Sequence, residues 1–165
     1  MQVPIEICRE GIEIPKYANP SDSGIDIVAA EDITIHPGET KIIPTGIKVA
    51  IPEGYELQVR PRSGLSAKSR LRVANSPGTI DVGFRSEIGV IMTNISEKDT
   101  MPNDWFPTAN ITEVKNNENC IYFIPKGTRI AQIVLQPVIR IDFIKVDSVK
   151  DYGVDRGGGF GSTGL

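Results

Sequence analysis

The sequence predicts an all-β sandwich or barrel. Short runs rich in isoleucine and valine recur along the chain, and several alternate apolar with polar residues, as strands with one buried face do. Twelve prolines and sixteen glycines include pairs between these runs that favour turns. The predicted strands span residues 25–27, 41–51, 55–60, 87–93, 120–124, 129–135 and 138–146.

One short helix is predicted at about residues 64–70. Ser63 directly precedes it and is predicted to be its N-cap. In that position the first backbone N–H groups of the helix would point toward an anion.

The segment 94–119 interrupts the regular spacing of strands. It is polar, lies between two predicted strands and is too long for a simple hairpin loop, so we interpret it as an insertion. Its Trp105 and Phe106 form either a small satellite core or a contact with a protein partner.

The composition is that of one globular domain of 165 residues with a net charge of −3. A general nucleic-acid binder is expected to be basic, so we expect no nucleic-acid partner. No apolar run reaches the roughly 18 residues of a membrane helix. No signal peptide is visible either, so we expect a cytoplasmic protein without a membrane partner. Cys8 and Cys120 are isolated in the sequence and are expected to be buried free thiols.

Positive charge is concentrated between residues 60 and 72, which hold five basic residues and no acidic one. Such a segment either binds a small polyanion or forms a solvated basic face. The single histidine, His36, lies beside a predicted turn and is expected at the surface. Nucleophilic catalysis with a histidine base is therefore disfavoured, and acid–base chemistry is expected from a carboxylate.

The last ten residues, 156–165, contain five glycines together with an arginine, a phenylalanine, a serine and a threonine. This composition is typical either of a flexible tail or of a segment that closes over a phosphorylated, planar ligand. In the second case the arginine and hydroxyls would contact phosphate oxygens, and the ring would stack on a base.

Five segments pair glycines with polar residues where the strand pattern breaks, namely 23–27, 61–66, 75–84, 127–132 and the tail. In this order they resemble the five motifs of the trimeric dUTP diphosphatases (dUTPases), over about residues 15–165 apart from the insertion. The resemblance implies a jelly-roll-like β-barrel that assembles as a homotrimer. It also implies a β domain at 1–150 and a flexible arm at 151–165 that closes the active site.

The same resemblance implies that water attacks the α-phosphorus of dUTP, giving dUMP and pyrophosphate, with Mg²⁺ as cofactor. Such a reaction limits uracil in DNA and supplies dUMP. The motifs assign catalysis to Asp81 as the base, with Arg62 and Gln132, and assign metal binding through water to Asp26. The substrate-binding residues that they imply are Ser63, Gly64, Asn75, Gly78, Ile80, Phe84, Arg156, Phe160, Gly161, Ser162 and Thr163.

In this family each active site is shared between subunits. The hairpin with Asp81 is expected from one subunit, the segments with Asp26, Arg62 and Gln132 from a neighbour, and the tail from the third. Main-chain groups of the hairpin are expected to recognise uracil and to exclude cytosine.

The sequence departs from the family pattern at three positions. Phe84 stands where the family usually has tyrosine, which removes a phenolic hydrogen bond but keeps the ring against the deoxyribose. The spacing from Arg156 to Phe160 is one residue shorter than usual, and Ser86 replaces a glycine. For Phe84 we expect weaker activity or altered sugar discrimination, not loss of function.

Two alternatives remain open. A dCTP deaminase shares this fold, but its catalytic glutamate would stand at position 91, which is isoleucine. A regulatory dUTPase would instead bind a protein partner through the insertion at 94–119.

Overall fold

The computed structural model describes residues 1–97, 115–116, 120–155 and 157, with the backbone alone described at 115 and 116. The mostly β architecture, with one short α-helix, confirms the predicted fold class. In chain order the elements are β1 (Ile5–Ile7), β2 (Ile25–Val28), β3 (Ile33–Ile35), β4 (Thr40–Pro44), β5 (Ile47–Val49), β6 (Tyr55–Arg60), α1 (Ser63–Lys68), β7 (Leu71–Val73), β8 (Gly78–Ile80), β9 (Gly89–Asn94), β10 (Lys115–Asn116), β11 (Tyr122–Ile124), β12 (Arg129–Pro137) and a 3₁₀ helix (Val149–Asp151).

The strands of the described residues form four antiparallel sheets. The largest has the order β2-β12-β6-β8, two have the orders β4-β9-β7 and β10-β11-β3, and the smallest pairs β1 with β5. Alternate side chains of β6 are buried, as the apolar-polar alternation predicts. One apolar cluster draws on all four sheets, with Ile27, Ile35, Ile43 and Ile47 among its fully buried members.

The predicted strand 41–51 is two strands, because the chain turns between β4 and β5. Gly46 has a φ of +73°, and a Cβ at this position would lie 2.7 Å from Cγ1 of Ile12. The buried hydroxyl of Thr45 donates a hydrogen bond of 2.6 Å to the carbonyl of Ile88. Close packing against Ile12 and Ile88 therefore requires the turn between β4 and β5. The apolar–polar alternation of residues 41–51 did not reveal this turn.

The helix α1 begins at Ser63, so the prediction that Ser63 is its N-cap is wrong. Arg62 occupies the N-cap position and makes no side-chain hydrogen bond to the helix. Its guanidinium instead donates to Asp26 on β2. No helix in the described ranges has the length and apolar character needed to cross a membrane.

The predicted strand 138–146 is wrong for the single chain. No described strand extends beyond Pro137, and the side chains of Ile139, Ile141 and Phe143 are 90%, 67% and 90% exposed. A strand forms only when another strand pairs with it. The backbone N–H of Val138 donates to the carbonyl of Gly54 at 2.8 Å, but no described strand of the same chain pairs with the rest of this segment, so its alternating apolar side chains stay uncovered.

Asn94, at the end of β9, fastens the two ends of the insertion to the body. Its buried side-chain amide donates to the carbonyl of Ile35 at 3.2 Å and to that of Cys120 at 2.8 Å. Trp105 and Phe106 lie outside the described residues, so the predictions made for them stay predictions.

The single-residue expectations for the cysteines and the histidine are largely confirmed. Neither cysteine forms a disulfide, and Cys120 is buried as predicted, whereas Cys8 is half-buried. His36 is exposed.

An ion pair connects the N-terminal segment to the loop before β9. Nε and Nη2 of Arg9 donate to the two carboxylate oxygens of Glu87 at 2.7 and 3.0 Å. The backbone N–H of Gly46 donates to the same carboxylate at 2.7 Å. Burial by itself raises the pKa of Glu87, but the hydrogen bonds from Arg9 and Gly46 outweigh it and hold the pKa below its usual value.

This arrangement predicts that Glu87→Gln lowers stability near neutral pH more than in acid. Because the pKa of Glu87 is lower in the folded state than in the unfolded one, the ionised group stabilises the fold above the usual glutamate pKa. That contribution is lost as the pH falls through the folded-state pKa. Urea unfolding at about pH 7 and about pH 3.5 measures the difference.

Glu31→Gln is the matched control for this prediction. Glu31 also pairs with Arg9, at 2.7 Å, but its side chain is 48% exposed, so its loss should change stability less. A gap between wild type and Glu87→Gln that is the same at both pH values would contradict the prediction.

Candidate active site

The pairing of β12 with two neighbours assembles the first group of candidate residues. Gln132 on β12 is the register partner of Asp26 on β2 and of Arg60 on β6. Because β6 ends at Arg60, the chain leaves the sheet there and places Arg62 beside the same patch. Three segments that are distant in sequence therefore converge at one end of the sheet.

Two arginines hold the carboxylate of Asp26, one on each oxygen. Arg62 Nε lies 2.8 Å from Oδ1, and Arg129 Nη1 lies 3.3 Å from Oδ2. Arg62 Nη1 also donates to the backbone carbonyl of Arg129 at 3.2 Å, which braces the two arginines against each other. With two cations and one anion, the cluster carries a net positive charge and is suited to an anionic ligand.

Gln132 is held between Gly24 and the segment after β6. Its Nε2 donates to the carbonyl of Pro61 at 2.9 Å. A Cβ on residue 24 would lie only 2.2 Å from Oε1 of Gln132, so glycine leaves the space that the amide occupies. The orientation of Gln132 thus depends on two backbone segments, one from each side.

A cavity of about 680 Å³ opens beside this cluster. Its polar lining includes Ser23, Asp26, Arg129 and Gln132, and residues 11–16 form another part of the wall. The volume lies within the range of small-molecule sites.

Few carboxylates are available to a metal ion here. Among the residues that the structure describes, no group of three or more histidine, cysteine, aspartate or glutamate side chains is placed to hold one. Asp26 is the carboxylate bonded to both arginines, and its side chain is 30% exposed.

The second group of candidate residues surrounds β8. Gly78 and Ile80 are the ends of that strand, and the exposed Asp81 follows it directly. The backbone N–H of Phe84 donates to the carbonyl of Asp81 at 3.0 Å, which closes a turn. The half-buried ring of Phe84 packs against the hydrophobic core. Asn75 folds over Gly78, where a Cβ would lie 3.0 Å from its Nδ2.

Within one chain the two groups line different cavities. Asp81 faces a cavity of about 290 Å³ that Glu56, Gly83 and Arg140 also line. Asp26, Arg129 and Gln132 line the larger one. One copy of the chain therefore places Asp81 and the cluster around Asp26 at separate cavities.

Of the other predicted residues, Ser63 and Gly64 are exposed at the start of α1, next to Arg62. Nothing lies within 4 Å of the position of a Cβ on Gly64, so the backbone there is open to a ligand. The arm residues Arg156, Phe160, Gly161, Ser162 and Thr163 lie outside the described residues, and their assignments stay predictions.

Sequence reasoning missed the roles of three residues near these sites. Arg129 and Gly24 lie within segments that were singled out, but neither was assigned a contact. Arg85 was missed too: its Nη1 donates to the carbonyls of Val82 and Phe84 and so clamps the turn after Asp81. The sequence showed Arg129 within 127–132 and Gly24 near Asp26, but the contacts that these residues make depend on tertiary structure.

A family model described as dUTPase matches residues 10–104, more than half of the chain. A deoxyuridine 5′-triphosphate nucleotidohydrolase of Gloeothece citriformis is 40% identical over 166 residues, covering 100% of this chain and 98% of that protein. The protein of the same name from Picosynechococcus is 46% identical over 152 residues, covering 92% of this chain and 90% of the relative.

Solved structures show the same relationship in three dimensions. A variant of the Staphylococcus bacteriophage 80alpha dUTPase with dUpNHpp superposes with a TM-score of 0.81 at 27% identity, covering 99% of each chain. The jelly-roll-like fold expected from the five motifs is therefore confirmed, and the chain belongs to the dUTPase family.

Proposed function

We propose that this protein hydrolyses dUTP to dUMP and pyrophosphate by attack of water on the α-phosphorus. The observation that carries this function is the cluster of Asp26, Arg62 and Gln132 beside the 680 Å³ cavity, in a chain of the dUTPase family. The deaminase and purely regulatory alternatives are not favoured.

The cationic cluster is suited to the triphosphate. A nucleoside triphosphate carries about four negative charges near neutral pH, and guanidinium groups offset such charge in fixed geometry. Arg62 is half-buried, with its side chain 21% exposed, so its charge is screened less than that of a fully exposed arginine. Ser63 and the open backbone at Gly64 extend the phosphate-binding surface along the start of α1.

Mg²⁺ is proposed as the cofactor, bound mainly through water and the oxygens of the substrate. Each oxygen of Asp26 accepts one hydrogen bond from an arginine, and a carboxylate oxygen has a second lone pair for a further donor such as water. Magnesium retains several waters and needs few protein ligands, so a single carboxylate fits it. When bound, Mg²⁺ offsets charge on the triphosphate.

Asp81 is proposed as the general base. It is exposed at the end of β8, and the turn that follows is held by Phe84 and Arg85, so its carboxylate is presented from a fixed backbone. It would take a proton from the attacking water while the bond from the α-phosphorus to the leaving pyrophosphate breaks.

A homotrimer is proposed because one chain separates Asp81 from the cluster around Asp26. Asp81 and Asp26 line different cavities, so a neighbouring copy is needed to bring a base to the phosphate cluster. The segment after β12 also leaves side chains such as Ile139, Phe143 and Val154 90%, 90% and 97% exposed. Contact with other subunits would cover them. The β domain is assigned to 1–150 and the arm to 151–165, which would close a site on other subunits.

Substrate selection is assigned to the β8 region. Asn75, Gly78 and Ile80 would present main-chain groups to uracil, and the ring of Phe84 would leave no room for a 2′-hydroxyl. In the arm, Phe160 would stack on the base, while Arg156, Gly161, Ser162 and Thr163 would contact the phosphates.

A protein partner at 94–119 is kept as a second proposal. A solved structure of the Staphylococcus bacteriophage 80alpha dUTPase, 28% identical over 89% of this chain, is described in terms of phage dUTPases that control transfer of virulence genes by a G protein-like mechanism. Deletion of the insertion should then leave turnover intact and abolish capture of the partner.

We also propose a cytoplasmic location.

The proposed function predicts release of pyrophosphate from dUTP, and not from UTP, dCTP or dTTP, in the presence of Mg²⁺ and not of chelator. The same assay on a chain that ends at residue 155 should show slower turnover, because the arm is missing. Comparable turnover of UTP would mean that Phe84 does not discriminate the sugar. No turnover of dUTP would contradict the function.

Asp81→Asn is expected to bind dUTP but to lose about 10²–10⁴-fold in turnover, the usual contribution of a general base. Single-turnover kinetics and calorimetry separate the two effects. Refolding a mixture of this variant with Arg62→Ala should restore activity, because some sites would combine the intact halves of each. Turnover close to wild type in Asp81→Asn would remove this residue from the role, and failure of the mixture to recover would contradict shared sites.

Gly24→Ala is expected to lower turnover by roughly a hundredfold while the protein stays folded. The new Cβ would lie 2.2 Å from Oε1 of Gln132, and the flexible side chain would swing away from Pro61. Thermal unfolding and steady-state kinetics measure the two effects. Because Gly24 acts through Gln132, adding Gly24→Ala to Gln132→Ala should cost little more than Gln132→Ala alone. A large additional loss would mean that Gly24 has another role.

A further inference from the structure

We propose that Arg129 is a positioning residue of the triphosphate site, which orients the carboxylate of Asp26 toward the magnesium–triphosphate complex. This inference rests on the proposed function and assigns a role to a residue that the family motifs leave without one here. Three observations support this inference. A β-bulge turns Arg129 toward Asp26, the two arginines contact different oxygens of the Asp26 carboxylate, and the side chain of Arg129 is exposed.

The bulge decides which way Arg129 points. Residues three apart on a regular strand lie on opposite faces. The register of β12 against β2 shifts between Arg129 and Ala131, and the consecutive residues Ile130 and Ala131 are 1% and 0% exposed. Arg129 and Gln132 therefore lie on the same side of the strand, and both line the cavity with Asp26. Bulges commonly redirect a side chain beside an active site.

The two arginines restrain different oxygens of Asp26. Arg62 holds Oδ1 at 2.8 Å and Arg129 holds Oδ2 at 3.3 Å. With Arg62 alone, the carboxylate would keep one contact and could rotate about its terminal bond, a torsion with a broad energy minimum. The second contact fixes the plane of the carboxylate and so the direction of its remaining lone pairs.

Stability does not explain the placement of Arg129. Its side chain is 55% exposed, and exposed ion pairs of this kind contribute little to folding. Its side chain lines the cavity, where its charge would act on a bound ligand. A direct contact between Arg129 and a phosphate is the competing role, and it predicts a different pattern of coupling.

The test is a double-mutant cycle read by binding. Calorimetry measures the affinity of dUpNHpp, with Mg²⁺ and with chelator, for wild type, Arg129→Gln, Asp26→Asn and the double variant. We expect Arg129→Gln to weaken binding roughly ten- to hundredfold with Mg²⁺, as loss of a partner that orients a metal-site residue does, and to change it little with chelator. Because Arg129 acts through Asp26, the double variant should bind no more weakly than Asp26→Asn.

Two further variants separate positioning from general effects. Lys48→Gln removes a cation from the ion pair with Glu6, whose charged atoms lie 2.7 Å apart. Neither residue lines the cavity, so this variant should leave binding unchanged. Arg129→Lys keeps the charge and should restore part of the affinity. An additive double variant, or equal weakening with chelator, would overturn positioning in favour of direct phosphate contact. If Arg129→Gln also lowers the melting temperature enough to explain the weaker binding by loss of folded protein, Arg129 has only a structural role.

The outcomes for Arg129 and for the proposed function are separate. If wild type binds dUpNHpp but releases no pyrophosphate from dUTP, the proposed function is wrong. The double-mutant cycle still measures the coupling between Arg129 and Asp26 in binding. If wild type hydrolyses dUTP and the cycle is additive, the function stands and the positioning role fails. Absence of dUpNHpp binding by wild type would overturn both.

Discussion

Strand β12 is paired on both edges, and this double pairing positions the cluster of Asp26, Arg62 and Gln132. On one edge β2 carries Asp26, and on the other β6 leads the chain to Arg62. Gln132 lies between them, in space that exists because residue 24 is glycine. The cluster therefore depends on the backbone hydrogen bonds of a sheet, which hold side chains more precisely than a loop does.

Charge is distributed so that an acidic protein still attracts an anion. The chain has a net charge of −3, yet two arginines share one carboxylate at the end of the largest sheet. That local excess of positive charge is suited to binding a polyanion. Ion pairs elsewhere have a different role, since the pair between Arg9 and Glu87 joins the N-terminal segment to the core sheets.

Two features of the single chain depend on whether copies of it associate. Asp81 and the cluster around Asp26 line different cavities, and the segment after β12 exposes a series of large apolar side chains. Association of copies would bring a neighbouring cluster to Asp81 and would cover the apolar side chains at the same time. The stability of such a protein and the completeness of its site would then depend on the same contacts.

The sequence by itself determined the all-β class, the strand 55–60 and the five ordered motifs, because alternation and turn residues are local properties. The three-residue strands β3 and β7 were missed, because three residues carry little periodicity and neither strand lies in a longer apolar run, as β11 does. Residues 138–146 have the pattern of a strand, but a pattern cannot supply the partner that a strand requires. Only the tertiary structure decided that Arg129 joins Asp26 and that Arg62, not Ser63, precedes α1. A bulge and an ion pair arise from the neighbours that a residue acquires on folding, and those neighbours are not adjacent in the sequence.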